Sequence, residues 1–393
     1  MSEVVLRAGR VVTPDGVREA DVVVRGGRIV AVEPPCARGE DAEVVDVGGC
    51  WVLPGFVDLH VHGGGGAQCN TADADEVRRV ARFHARHGTT SLLATTVAAP
   101  VDRLLAALQA IGAAAAAPAD GCAEVLGAHL EGPFLSPRWP GAMDARHFAA
   151  PDLALADRLL AGGVARMLSL APELAGAREL VRAAVAAGVV VSMGHTGATY
   201  SEASVAVAAG VRAATHVFNA MRPFHHREPG VLGAALDLEA VTCEVICDGV
   251  HVDPAAVRLL VRSKGPARTT LVTDAIEATG LPDGDYRLGE RPISVAAGRA
   301  TLPGTDTIAG STLTMGRAVR NAVELCGLGV VEAARMASTT PSELLGISDR
   351  KGVVAPGRDA DIAILEPDLS VAGVLVRGTW SLDLRDAQAR ARS

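Results

Sequence analysis

Pro54-Gly55-Phe56-Val57-Asp58-Leu59-His60-Val61-His62 opens on a turn signal, runs through β-prone residues and closes on two histidines one residue apart. Side chains at i and i+2 of a strand point to the same side, so His60 and His62 present two imidazoles in one direction. The same texture recurs along the chain. Strands are expected at Gly55–His62, Thr89–Val97, Glu124–Glu131, Arg166–Ala171, Val189–His195, Ala213–His216, Thr242–Asp248 and Thr269–Asp274, with helical stretches such as Ala74–His87 and Pro254–Arg262 between them. That alternation marks βα units and a parallel sheet. Eight units over about 250 residues is the size of a (β/α)8, or TIM, barrel, so the expected class is α/β.

The flanks read differently. From Val4 to about Val47, short β-rich runs are broken by turn residues, as in Val22-Val23-Val24-Arg25-Gly26-Gly27-Arg28-Ile29-Val30, which reads as consecutive hairpins. A matching texture returns at Gly352–Leu365 and Val371–Val376. The two ends are expected to pair into one smaller, discontinuous β-sandwich domain, residues 1–53 and 350–393, around a barrel domain spanning 54–349. A hairpin insertion is expected after the eighth strand, near 283–305. A length of 393 residues accommodates both units, and 49% hydrophobic with 21% charged residues suits a packed core and excludes a disordered chain.

Net charge is −8 and the basic residues are scattered arginines, so there is no electrostatic footprint for nucleic acid or an anionic membrane; a small molecule is the expected partner. The seven cysteines are odd in number and irregularly spaced, which argues against a disulfide framework and fits a reducing compartment. Cys243 and Cys247 read as buried strand residues. No basic n-region leads into an apolar stretch, and no apolar run reaches the roughly 18 residues of a membrane span. A cytoplasmic location is expected.

The chemistry lies at strand ends. His60 and His62 end the first strand, Glu131 the third, His195 the fifth, His216 the sixth and Asp274 the eighth. In such a barrel the catalytic face is built from the C-terminal ends of the strands. One histidine on a strand is more often a core residue than a ligand, but a pair followed by further ligands at the same end of other strands forms a metal site. Imidazoles with carboxylates suit Zn²⁺, with Fe²⁺ or Mn²⁺ as alternatives. Asp274 would act as general base toward a metal-activated water and then as acid toward the leaving amine. His129, two residues before Glu131, faces the same interior and supports the site. Gly63–Gly66 lacks the Lys and Ser/Thr of a phosphate loop and reads as a turn; His84 and His87 fall on a helix, and His225 and His226 on a loop.

The motifs then line up, in order and spacing, with one family. They are Pro54 to Gly63, His129-Leu130-Glu131-Gly132-Pro133-Phe134, Gly194-His195-Thr196, Thr215-His216-Val217-Phe218-Asn219-Ala220-Met221, Arg227-Glu228-Pro229-Gly230, Asp248-Gly249-Val250-His251, Val272-Thr273-Asp274-Ala275 and Ala309-Gly310-Ser311. The chain resembles the N-acetylglucosamine-6-phosphate deacetylases of the amidohydrolase superfamily. The resemblance implies hydrolysis of an acetamide on an amino-sugar phosphate by a homodimer, with the loop from Arg227 to His251 near the subunit contact. It implies Glu131, His195 and His216 as principal ligands, with His60 and His62 offering a second position, hence one or two ions per chain. Superfamily members with two metals often bridge them through a carboxylated lysine, but the only lysines here, Lys264 and Lys351, fall outside the expected strands, so Glu131 must supply the carboxylate. The resemblance further implies substrate contacts from Asn219, Ala220, Arg227, Asp248, His251, Ile308, Ala309 and Gly310, with Arg227 on the phosphate and His251 on the reacting carbonyl. One position departs: where the family carries Gly-Ala-His, this chain has Gly141-Ala142-Met143. Ala142 and Met143 are still expected at the substrate, but methionine donates no strong hydrogen bond. Another N-acyl amino sugar, such as N-acetylgalactosamine 6-phosphate, is therefore an alternative substrate, and a non-catalytic scaffold is a third reading.

Overall fold

The computed structural model describes residues 3–36 and 42–385; the parts of the expected small domain at 1–2, 37–41 and 386–393 lie outside the described residues. Eight strands hydrogen-bond in sequence order into one parallel sheet: Phe56–Val61, Thr89–Thr96, Glu124–Glu131, Ala165–Leu170, Val190–Met193, Ala213–Ala214, Thr242–Ile246 and Thr269–Val272. The eighth returns to the first through a parallel bridge between Val61 and Ala275 and a 2.8 Å bond from Asp274 N to His60 O, which closes the barrel. Every residue of the first two strands is buried, as a parallel sheet covered on both faces requires. The outer helices supply the covering face. Ala74–Ala85 starts at Asp73, whose side chain accepts from Asp75 N, and buries Val77, Val80, Ala81 and His84, the spacing that places residues on one side of a helix.

Strands five, six and eight stop earlier than their sequence runs. They end at Met193, Ala214 and Val272, so His195, His216 and Asp274 each stand two residues beyond the last paired residue. All three have left-handed backbones, with φ of 47°, 27° and 50°. Such conformations cost non-glycine residues on the order of 1–3 kcal/mol and persist where surrounding contacts over-determine them.

The chain ends build a second sheet. Glu3–Thr13, Gly16–Arg25, Arg28–Glu33, Ala42–Asp46 and Trp51–Pro54 join Ile362–Leu365, Val371–Val376 and Thr379–Leu382, with Ile362 opposite Pro54 and Leu365 opposite Trp51. Ile29 N donates to Arg358 O at 2.9 Å and Ile29 O accepts from Gly357 N at 2.8 Å, so the sheet folds over a core that includes Leu6, Val22, Ile29, Val52, Ile362 and Leu375. It meets the barrel at a buried cation. Lys351 Nζ lies 2.8 Å from Glu124 at the start of the third barrel strand, 3.4 Å from Asp359, and hydrogen-bonds Asp361.

After the eighth strand, Gly284–Leu288, Arg291–Ala296 and Arg299–Thr301 form a three-stranded antiparallel sheet, one strand more than a hairpin. Its Leu288, Ile293 and Val295 pack with Val97, Leu135, Ala142 and Met143, and so cover one side of the barrel mouth. Among the described residues, no helix is long and apolar enough to cross a membrane.

Candidate active site

Glu131 is the hub. Its Oε1 lies 3.0 Å from His195 Nε2 and 2.9 Å from His216 Nε2, while Oε2 lies 3.3 Å from His60 Nε2 and 3.2 Å from His62 Nε2. Asp274 Oδ1 sits 3.1 Å from His62 Nε2 and 3.6 Å from His60 Nε2. Residues from strands one, three, five, six and eight thus converge at the C-terminal end of the barrel, and all six are buried.

The histidine tautomers decide what this cluster can hold. His60 Nδ1 is 3.1 Å from Glu244 Oε2, His62 Nδ1 is 3.2 Å from Thr95 O, and His195 Nδ1 is 3.0 Å from Trp139 O. Each Nδ1 faces an acceptor and must donate to it, so in the neutral ring each Nε2 carries a bare lone pair. Those lone pairs face carboxylate oxygens and, for His60 and His62, one another at 3.2 Å. Only positive charge relieves that arrangement: protons on the rings, or a cation among them. Among the described residues three groups fit a cation by proximity, His60-His62-Asp274, His60-Glu131-His216 and, deeper in the barrel, His60-His129-Glu244. Partners that fix the far nitrogen of a ligand histidine are the usual support of a metal site.

Electrostatics follow from the same contacts. Burial alone would raise the Glu131 carboxyl, but the surrounding histidines hold it well below the ordinary range. Burial likewise opposes ionisation of Asp274, yet the hydrogen bond from His62 and the charge at His60 bring it down to about 2. Asp58, beneath the histidine pair, is pushed up to about 6 by burial despite accepting from Thr273 Oγ1 at 2.5 Å. His129 is pushed down to about 4, chiefly by burial. It donates from Nδ1 to Leu59 O at 2.9 Å and meets Ser169 Oγ at 2.8 Å, with Thr215 and Ser192 continuing the chain of hydroxyls below the site.

Above the cluster lies a cavity of about 300 Å³. It is lined by His62, Glu131, His195, His216 and Asp274, by Ala142, Met143, Asn219, Ala220 and His251, and by Ile308 and Gly310. Three of the expected substrate residues do not line this cavity. Arg227 is exposed on its loop, with Nη1 3.0 Å from His226 Nε2, and does not line the cavity; the motif turns it outward while Glu228 is bound by Tyr200 N and Gly230 N. Asp248 reaches the cavity only through His251, whose Nδ1 is 2.7 Å from its carboxylate. Ala309 is fully buried against the inserted sheet, and its two neighbours form the wall instead.

Sequence reading passed over Glu244, Asp58, Trp139, Leu288, Asp306 and Thr307. Glu244 and Asp58 carried a signal, each being the lone acid in a fully buried strand. The other four sit in loops or the inserted sheet, where no periodicity marks them. Beyond Ala142, Met143 and Leu288, the site adjoins a larger cavity of about 730 Å³ whose lining includes Arg146, Arg287 and Arg291.

Comparison with known proteins places this geometry. A family model described as the amidohydrolase family matches residues 51–381. The chain is 38% identical over 381 residues to the N-acetylglucosamine-6-phosphate deacetylase of Bos taurus, covering 92% of each. It is 37% identical to the N-acetylgalactosamine-6-phosphate deacetylase of Escherichia coli O157:H7, over 95% of this chain and 98% of that one. Among solved structures it is similar to a variant N-acetyl-D-glucosamine-6-phosphate deacetylase of Mycobacterium smegmatis in complex with N-acetyl-D-glucosamine-6-phosphate: TM-score 0.92, 39% identity, 98% of this chain and 100% of that chain.

Proposed function

The chain belongs to the amidohydrolase family, among the N-acetylglucosamine-6-phosphate deacetylases, and from that premise we propose that it hydrolyses N-acetyl-D-glucosamine 6-phosphate to acetate and D-glucosamine 6-phosphate in the cytoplasm. The observation that carries the reading is the convergence of four imidazoles on Glu131, with Asp274 beside His60 and His62, at the floor of a substrate-sized cavity. We assign Glu131, His195 and His216 to one divalent cation and His60 and His62 to a second position, Zn²⁺ being the best match to this donor set. A cation held there supplies Lewis acidity toward the amide oxygen and a water whose pKa falls from 15.7 to about 7.

The protein's own groups do the rest. Asp274 is ionised at neutral pH, is 8% exposed toward the cavity, and stands where it can take the water's proton and pass it to the amine nitrogen. His251 has Nδ1 committed to Asp248, so Nε2 donates to the developing oxyanion only when both ring nitrogens are protonated, with Asp248 as its counter-charge. Among the described residues, the lining of this cavity contains no arginine or lysine. Within one chain, phosphate recognition therefore falls to Asn219, Ala220 and His251, and the exposed Arg227 loop belongs to the proposed homodimer contact.

A second reading is favoured by Met143, which lines the cavity where the resemblance expects histidine: the preferred substrate is then the galactosamine epimer, as for the Escherichia coli relative. An acetate-release panel of N-acetylglucosamine 6-phosphate, N-acetylgalactosamine 6-phosphate and their unphosphorylated forms tests both. Equal rates with and without phosphate would remove the phosphate from the reading. Absence of turnover, with less than one metal per chain by elemental analysis, would favour a scaffold.

A further inference from the structure

The seventh barrel strand, Thr242–Ile246, is followed by Cys247, whose Sγ lies 3.7 Å from the Sγ of Cys326. Cys326 comes two residues after the helix Met315–Glu324, and both thiols are buried. The two elements are tied on either side of the sulfur pair. Asn321 Nδ2, on that helix, donates to Cys247 O at 2.9 Å, and Arg258 Nη1 donates to Leu325 O at 3.3 Å. The proposed hydrolysis uses neither thiol.

We propose that Cys247 and Cys326 are an oxidisable dithiol, a modification site that takes a hydroperoxide, closes to a disulfide and disturbs the Asp248–His251 arm of the active site. Cys326 is the sulfur that reacts first. Either sulfur can donate in their contact, and Arg258, whose guanidinium also bonds Leu325 O, lies near Cys326 and favours thiolate there against burial and the charge of Asp253. Its chain neighbour Leu325 is exposed at the surface. The Cys326 thiolate attacks one peroxide oxygen; the O–O bond breaks, one water leaves, and Cys326 carries a sulfenic acid. The Cys247 sulfur then attacks that sulfur. An S–S bond forms, the S–O bond breaks, and the hydroxyl departs with the Cys247 proton as a second water, so two thiols and one hydrogen peroxide give one disulfide and two waters.

Bonding requires the sulfurs to approach from 3.7 Å to about 2.05 Å. The peptide that must yield on one side leads directly into Asp248. Its carboxylate accepts from Val250 N and His251 N, each at 2.8 Å, and meets His251 Nδ1 at 2.7 Å, so displacement of Asp248 moves the His251 ring relative to the cavity. The effect on rate rests on the proposed role of His251; the cross-link itself does not.

The test uses the full-length, metal-loaded enzyme treated with hydrogen peroxide and quenched with catalase. Free thiols should fall from seven to five, non-reducing peptide mass spectrometry should recover a Cys247–Cys326 cross-link, and acetate release should drop at least threefold and return with dithiothreitol. Cys326→Ser and, as a second variant, Cys326→Ala should resist both changes. Seven thiols persisting, or cysteines other than this pair cross-linking, would overturn the site. A cross-link with unchanged rate, or equal inactivation in the Cys326 variants, would overturn its coupling to His251 while leaving the deacetylase reading intact.

Discussion

At the scale of single residues, the site separates groups that do chemistry from groups that aim them. Asp274 is held ionised by His62 and His60 in spite of its burial. Replacing it by asparagine keeps the shape and removes the proposed base. Asp274→Asn should therefore lower acetate release by about 10²–10⁴-fold with metal content unchanged by elemental analysis; activity within tenfold of the parent would remove Asp274 from that role. Glu244 never touches the cavity, yet its Oε2 meets His60 Nδ1 at 3.1 Å and accepts from His216 N at 3.2 Å. It orients one histidine of each proposed metal position. Glu244→Gln should weaken metal affinity or activity by about 10–100-fold, read by chelator competition, and an unchanged affinity and rate would reduce it to a packing residue.

At the scale of elements, the inserted sheet and the loop at 139–143 shape the wall opposite the metal cluster. Gly141 takes φ of 55°, and a Cβ there would meet His195 Cε1 at 3.2 Å, so the loop needs glycine at that turn. Trp139 O holds His195, and Met143 O accepts from Arg291 Nη1 of the inserted sheet at 2.8 Å. Arg291 thus fastens the wall that carries Met143. Arg291→Ala should raise KM several-fold with a smaller change in kcat and little change in melting temperature, and Arg291→Lys should recover part of it. A fall in kcat at constant KM would contradict a role in positioning the wall.

At the scale of the whole molecule, the two units are joined through a buried charge cluster. Lys351 is surrounded by Glu124, Asp359 and Asp361, and burial of its ammonium is outweighed by those carboxylates, so its pKa is raised above 10.5. Removing one member strands the others. Lys351→Met should cost about 3–5 kcal/mol of stability, measured by urea unfolding. The pH dependence follows by sign. The raised pKa of Lys351 gives stability that is complete below pH 10.5 and lost as pH climbs through its folded value, so the gap between the parent and Lys351→Met should narrow above pH 10.5. Glu124 is opposed by burial but lowered below 4.5 by Lys351 and Arg350, so its contribution is present above pH 4.5 and lost as pH falls through its folded value. Asp361, raised above 3.8 by burial, favours the folded state most below pH 3.8 and loses that contribution as pH rises, partly offsetting Glu124 on the acid limb. A gap that stays constant between pH 8 and 11 would remove Lys351 from this role.

The barrel and its metal-type residues were legible in the sequence because both are local signals. Alternating β-branched and helical runs follow from backbone geometry, and His60, His62, Glu131, His195, His216 and Asp274 mark the ends of runs that can be counted without knowing what packs where. Tertiary structure alone decided the rest. Whether Arg227 faces inward depends on a loop held by Glu228 contacts, whether Asp248 acts directly depends on its distance from His251, and the thiols of Cys247 and Cys326 meet across 79 residues. The aim of each Nε2 depends on acceptors at Thr95, Trp139 and Glu244, contributed by other segments of the chain. Sequence determines which residues reach the mouth of the barrel; the long-range contacts that close it determine which way their lone pairs and charges point.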